Sequence, residues 1–295
     1  MALIPPLGGC DGGFKGRVCV TGASGFLASW LIKRLLLSGY HVTGTVRDLG
    51  NERKLEHLWR LEGATERLRL VKADLMEEGS FDDAIMGCNG VFHTASPVLK
   101  PSSDPKAEIL KPAIEGTLNV LRSCRKNESL RRVVLTSSSS TVRVRDDFDP
   151  NIPLDESSWS STQLCEKLQI WYALSKTLAE KAAWEFCKEN GIDLVTVLPS
   201  FVIGPSLPSD LCSTASDRNS DGMEGWGTFI SMMLLNAISW FEEVNRLHYE
   251  LNTWKLRSLG LEFKCIQQMF DDCIASLEEQ GHLPPRPTTP PTPII

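Results

Sequence analysis

An excess of positive charge is missing from this sequence. Its 31 lysines and arginines face 37 aspartates and glutamates, for a net charge of −6, so nothing draws it in general to nucleic acid or to an anionic membrane. Paired cysteines are missing too: the 9 cysteines, an odd number, are scattered without a Cys-x-x-Cys. That pattern fits reduced thiols in a reducing compartment and excludes the usual disulfide framework or zinc site. The 5 histidines are dispersed, none at ligand spacing from another, so no metal is expected. No basic segment followed by an apolar core stands at Met1–Arg17, so a secretory signal is not expected. The apolar run Trp226–Trp240 falls short of the roughly 20 residues needed to cross a bilayer. A cytoplasmic protein without nucleic acid or membrane insertion is the expectation.

What is present is the composition of a globular protein with a large core: 295 residues, 42% hydrophobic and 23% charged. Short Val/Leu-rich runs at Arg17–Thr21, His41–Val46, Leu68–Lys72, Gly90–His93, Arg132–Ser137 and Asp193–Leu198 read as strands. Helical periodicity lies between them, at Phe26–Leu37, Ile114–Cys124 and Tyr172–Glu189. Apolar strands without polar alternation suit a sheet buried on both faces, and strand alternating with helix gives a parallel doubly wound α/β sheet, a Rossmann fold. The boundaries expected are an N-terminal extension over 1–14, a dinucleotide-binding domain over 15–205 and a small substrate domain over 206–283. A proline-rich tail over 284–295 is expected to be disordered. The substrate domain should hold an amphipathic helix with Ile266, Met269, Phe270, Cys273, Ile274 and Leu277 on one face and Gly281 as its stop.

The first strand ends VTGASGFLASWL, Val20 to Leu31. Small residues at Gly22, Gly25 and Ala28 permit a tight turn, a close backbone approach and close helix–strand packing, the three needs of a pyrophosphate at a helix N-terminus. The second strand ends TVRD, where Arg47 and, further on, Lys54 suit the 2′-phosphate of NADP; Asp48 is read as a turn residue.

Two further stretches carry the chemistry of carbonyl reduction. Tyr172 and Lys176 in WYALSK are four apart and share a helix face. A phenol serves as proton donor if its pKa falls from about 10 toward neutrality, roughly 4 kcal/mol, which an ammonium in a dry site can supply. The strand ending VVLTSSSSTV offers a serine to the substrate carbonyl.

Taken in order, TGASGFLA, VRD, ADL, VFHTASP, LTSSSSTV, YALSK and LPSFVIGP resemble an extended short-chain dehydrogenase/reductase of the plant dihydroflavonol reductase and cinnamoyl-CoA reductase family. The resemblance implies Tyr172 as general acid, Lys176 as its modulator and ribose ligand, and Ser138 as carbonyl anchor, with Ser137, Ser139 and Ser140 as alternatives. It implies Gly22, Gly25 and Phe26 at the pyrophosphate, Arg47 and Lys54 at the 2′-phosphate, and Asp74 with Leu75 at the adenine. Thr94 and Ala95 fall near the nicotinamide ribose, and Pro199 near the carboxamide. The implied activity is NADPH-dependent reduction of a ketone on a polyketide-like small molecule of sporopollenin precursor synthesis, in possible association with other biosynthetic enzymes.

The sequence also departs from that family. IWYALSK lacks the cysteine of the cinnamoyl-CoA reductase run, which counts against a thioester, and Arg143 stands where dihydroflavonol reductases usually place an asparagine. After Asp217 much of the family's substrate domain is absent, residues 218–240 are unlike it, and the likeness resumes near Phe241. A chain that binds NADPH but is catalytically impaired is therefore a second reading.

Arg47 tests the cofactor choice. A charge-assisted bond to a phosphate contributes about 1.5–3 kcal/mol, so Arg47→Ala is expected to weaken NADPH about 10- to 100-fold and to leave NADH nearly unchanged. Fluorescence titration measures both; equal affinity of the parent chain for the two cofactors overturns the assignment.

Overall fold

The computed structural model describes residues 15–97, 103–200, 202–208 and 249–283. The expected N-terminal extension 1–14, the family-unlike stretch 218–240 with its apolar run Trp226–Trp240, and the tail 284–295 lie outside the described residues. The chain divides into two compact units, one of Gly8–Val202 with Tyr249–Thr253, the other of Met1–Leu7, Ile203–His248 and Trp254–Ile295.

The larger unit carries β1 (Arg17–Thr21), β2 (His41–Val46), β3 (Leu68–Lys72), β4 (Gly90–His93), β5 (Arg132–Thr136) and β6 (Leu194–Val197). They form one parallel sheet in the order β3-β2-β1-β4-β5-β6, so the winding reverses between β1 and β4. The expected α/β fold is therefore present, with β5 and β6 slightly shorter than the apolar runs that suggested them. Ser137 leaves the ladder, yet its N–H still reaches the Val197 carbonyl at 2.8 Å.

Helices α1 (Phe26–Leu37), α2 (Glu52–Trp59), α3 (Ala64–Arg67), α4 (Asp82–Ile85), α5 (Lys111–Arg125), α6 (Ser140–Arg143), α7 (Thr162–Lys167) and α8 (Trp171–Glu189) surround the sheet. A π-helical turn, Lys106–Leu110, leads into α5. The period-two geometry of a strand splits the core in two. On one face Val18 and Val20 of β1 join Ile32 and Leu36 of α1 and Leu55 and Leu58 of α2. On the other, Cys19 joins Val91, Val133, Val120 of α5 and Ala183 and Cys187 of α8. Small residues buried on α8, among them Ala173, Ser175, Ala179 and Ala183, let it lie close to α5.

Gly44, inside β2, was not among the residues singled out from the sequence. A Cβ there would stand 2.8 Å from the Ala23 Cβ and 2.9 Å from a Leu70 methyl. Ala23 belongs to the glycine turn, and its N–H is held by the Thr45 carbonyl at 2.8 Å. Only a residue without a side chain lets that turn sit down on β2.

In the smaller unit, Trp254–Ser258 and Ile266–Glu279 are helical. The second has the expected position and ends as expected, with the chain turning at Gly281, whose N–H meets the Glu278 carbonyl at 3.1 Å. Its expected apolar face is only half covered: Ile266 is 64% exposed and Ser276 is the helix's buried residue. Among the described residues it is held by polar bonds to Ser206, from the Ser206 N–H to Ser276 Oγ (3.0 Å) and from Gln280 Nε2 to the Ser206 carbonyl (2.7 Å).

Gly44→Ala is expected to destabilise the larger unit by about 1–3 kcal/mol, as overpacking does. Urea unfolding measures it, and a variant as stable as the parent removes the close-approach argument.

Candidate functional site

In a parallel sheet every strand ends at the same edge, and in a doubly wound fold that edge is where ligands sit. Each residue singled out from the sequence lies there, in the order of the strands. Asp74 and Leu75 follow β3, Arg47 and Lys54 follow β2, and Gly22, Gly25 and Phe26 follow β1. Thr94 and Ala95 follow β4, Ser138 follows β5, and Pro199 follows β6, while Tyr172 and Lys176 reach the same edge from α8.

The turn after β1 fits a phosphate. Gly22 has φ +69°, and a Cβ on it would meet the Ala95 backbone at 3.1 Å. Gly25 is the N-cap of α1 and supplies no side-chain acceptor, which leaves first-turn N–H groups and the positive end of the helix dipole for an anion. Beyond the neighbouring strand, Arg47 after β2 and Lys54 in the first turn of α2 are exposed, and Asp48 Oδ1 accepts the Gly50 N–H at 2.9 Å, the turn role expected of it. Asp74 Oδ1 likewise accepts the Met76 N–H (2.8 Å), and the Leu75 carbonyl is held by Asn119 Nδ2 at 2.8 Å.

Thr21 ties β1 to β4. Its Oγ1 accepts the N–H groups of Thr94 (3.1 Å) and Ala95 (3.0 Å) and lies 2.8 Å from His93 Nδ1. With both acceptor positions taken, its single hydrogen goes to Nδ1, so His93 carries its proton on Nε2 and is neutral. Burial pushes the His93 pKa down to about 3, and the Lys176 charge adds to the effect. Thr45 completes the frame by accepting the Gly22 N–H at 3.2 Å.

The four serines after β5 have different bonds. Ser137 Oγ donates to Glu180 Oε2. The Ser139 N–H bonds the Pro199 carbonyl at 2.9 Å, bringing the ends of β5 and β6 together. Ser140 donates to Ser138 from both its hydroxyl (2.9 Å) and its N–H (3.2 Å). Ser138 Oγ thus accepts twice and keeps its own hydrogen to donate, as bonding a carbonyl oxygen requires.

On α8, Tyr172 is 43% exposed at the open end. One turn deeper, Lys176 donates to the Thr136 carbonyl at 3.0 Å. Burial pushes its pKa down to about 8, against the opposing pull of Glu180. A cavity of about 10 Å³ lies beside it, lined by His93, Ala95, Thr136 and Lys176. α6, which begins two residues after Ser138, packs on α8, so serine, tyrosine and lysine share one end of the sheet.

Thr21, Thr45, Gly44, His93 and Glu180 escaped the sequence reading. His93 stood inside the quoted VFHTASP, and Glu180 is four residues past Lys176, so spacing alone could have drawn attention to both. Nothing in one sequence distinguishes them from an ordinary core polar residue until burial and partners are known.

A profile described as the NAD dependent epimerase/dehydratase family matches residues 18–224. Tetraketide alpha-pyrone reductase 1 of Arabidopsis thaliana is 63% identical over 317 aligned positions, covering 91% of this chain and 97% of that protein. The alignment is longer than this 295-residue chain, so parts of the relative have no counterpart here, in keeping with the block expected to be missing. Cinnamoyl-CoA reductase CAD2 of Medicago truncatula is 53% identical over 200 positions, 68% of this chain and 61% of that protein. Among solved structures, vestitone reductase from alfalfa superposes with a TM-score of 0.69 at 33% identity, covering 91% of this chain and all of that one.

His93 makes the stability of the fold pH-dependent. Its folded pKa of about 3 lies below the ordinary 6.5, so the unfolded chain takes up a proton that the folded chain refuses. The His93 contribution is therefore complete above 6.5 and falls as the pH drops toward 3, by about 1.4 kcal/mol per pH unit. Urea midpoints between pH 6.5 and 4.5 are expected to fall steeply in the parent and less steeply in His93→Gln. Equal slopes overturn the assignment.

Proposed function

This chain belongs to the NAD dependent epimerase/dehydratase family and is a reductase within it; we propose that it reduces a ketone on a tetraketide α-pyrone, with NADPH as its cofactor. The observation that carries the substrate is the 63% identity to tetraketide alpha-pyrone reductase 1 over 97% of that relative's length. The thioester alternative rests on a match to only 61% of a cinnamoyl-CoA reductase and on a motif that lacks the cysteine. Arg143 in place of the usual asparagine argues against a dihydroflavonol. The catalytically impaired reading is the weaker one, since the likeness runs through both ends of the alignment.

Along the sheet edge, Asp74 and Leu75 would hold the adenine, Arg47 and Lys54 the 2′-phosphate, and Gly22, Gly25 and Phe26 the pyrophosphate. Thr94 and Ala95 would stand by the nicotinamide ribose, Lys176 would bond its hydroxyls, and Pro199 would bound the carboxamide. When bound, NADPH supplies a hydride to the carbonyl carbon. Ser138 donates its free hydrogen to the carbonyl oxygen and holds it in place. Tyr172 gives that oxygen a proton, and the Lys176 ammonium one turn away stabilises the phenolate left behind. Its partial exposure lets Tyr172 recover a proton from solvent. Among the described residues no helix is long and apolar enough to cross a membrane. The same reading places the protein in the cytoplasm, near the biosynthetic enzymes that would supply its ketone.

Purified chain with NADPH and a tetraketide α-pyrone ketone is expected to show steady loss of NADPH absorbance, well above the rate with dihydroflavonols or hydroxycinnamoyl thioesters. Tyr172→Phe is expected to cut turnover about 10²–10⁴-fold, the worth of a positioned acid, with NADPH affinity kept. No turnover of the pyrone by the parent chain overturns the substrate, and a fully active Phe variant removes Tyr172 from the mechanism.

A further inference from the structure

One buried charge has no part in the chemistry described above. Glu180 lies one turn beyond Lys176 on α8 and is 4% exposed. Its Oε2 accepts from Ser137 Oγ, and its Oε1 accepts from Trp184 Nε1 at 3.4 Å. A carboxylate held this far from water is costly unless it meets an opposite charge and donors for its oxygens. Glu180 has the two hydrogen bonds, and Lys176, itself buried, stands one turn before it on the same helix, where its positive charge is felt.

Among the described residues, the other groups around Lys176 supply no countercharge. His93, facing it from β4, is neutral, and from β5 it receives only the Thr136 carbonyl. Tyr172 lies a turn away toward the open end of α8. Among the described residues, Glu180 stands one turn from Lys176 on α8, and its negative charge favours the ammonium.

Glu180 also joins two elements of the site. Through Ser137 it grips the residue next to Ser138, and through its own helix it is continuous with Tyr172 and Lys176. The hydroxyl that orients the carbonyl and the helix that delivers the proton are therefore tied by one side chain.

We propose that Glu180 is a positioning residue of the reductase: its buried carboxylate keeps the Lys176 ammonium charged in a dry site and, by holding Ser137, fixes the serine end of β5 against α8. The inference rests on the reading of Tyr172, Lys176 and Ser138 given above, but it makes a claim about Lys176 that needs neither substrate nor turnover. A charged Lys176 is what both stabilises a phenolate and bonds a ribose, so Glu180 acts on the reaction through another residue.

The test is the titration of Lys176 in the folded chain without cofactor, followed by trace acetylation across pH and peptide mass spectrometry. Only the neutral amine is acylated, so reactivity rises through its pKa, expected near 8 in the parent. Removing an opposite charge one helical turn away lowers such a midpoint by about 1 pH unit, so Glu180→Gln is expected to titrate below the parent. Glu180→Asp, which keeps the charge but draws it back by one methylene, is expected to fall between the two, and it carries the test if Glu180→Gln does not fold. On a ketone that the parent turns over, the alkaline limb of kcat moves in the same direction and KM stays. A purely packing role lowers the melting temperature and leaves the Lys176 midpoint at its parent value in a folded variant; that result overturns the proposal. A parent chain inactive on every ketone refutes the substrate reading and leaves the titration to decide Glu180.

Discussion

Because every crossover brings the chain back to the same end of the sheet, six strands that share no sequence motif deliver their last residues to one line. That line runs from Asp74 through Arg47, Gly22, Thr94 and Ser138 to Pro199. Successive strands lie about 4.8 Å apart, so neighbouring turns stand one short step from each other along the edge. An extended ligand with an anionic middle fits such a row, because the reversal of winding between β1 and β4 leaves a crevice beside the glycine turn. Everything else in the larger unit serves to hold that edge still.

It is held by buried polar groups as well as by the two apolar cores. Thr21 closes the gap between β1 and β4 with one hydroxyl that accepts twice and donates once. Ser137 and Glu180 close the gap between β5 and α8. Groups like these are costly to bury without partners and stiffen a structure once they are satisfied. They sit where the apolar packing ends, at the rim that a ligand must be able to reach. The two depressed pKa values, of His93 and Lys176, follow from that location: both bases lie in a place dry enough to disfavour charge. Among the described residues, Lys176 has the buried carboxylate of Glu180 one turn further along its helix.

Much of this was legible in the sequence. The strands and the helices α1 and α8 followed from continuous apolar runs and helical spacing, and their ends moved by a residue or so where a strand frays into a turn. The glycine turn was legible because Gly22, Gly25 and Ala28 obey a local rule. Arg47, Tyr172 and Lys176 could be placed because each lies within a few residues of an element boundary. Gly44, Thr21 and Thr45 could not, since their importance is set by neighbours some twenty to seventy positions away. The helix Ile266–Glu279 shows the converse: its periodicity announced a buried face, but a pattern does not say how much partner surface is there to cover it.

The sequence by itself determined the element order, the parallel winding, the phosphate turn and the identity of the groups that can donate a proton. These depend on hydrophobic period, on residues without side chains and on spacings within one helix, all local along the chain. Only the tertiary structure decided how four adjacent serines share their bonds, which tautomer His93 holds, and which buried carboxylate bonds Ser137 one turn beyond Lys176. Those are questions of who lies next to whom in a site without water, where a hydroxyl has one hydrogen to give and a buried charge must find its opposite within a few ångströms.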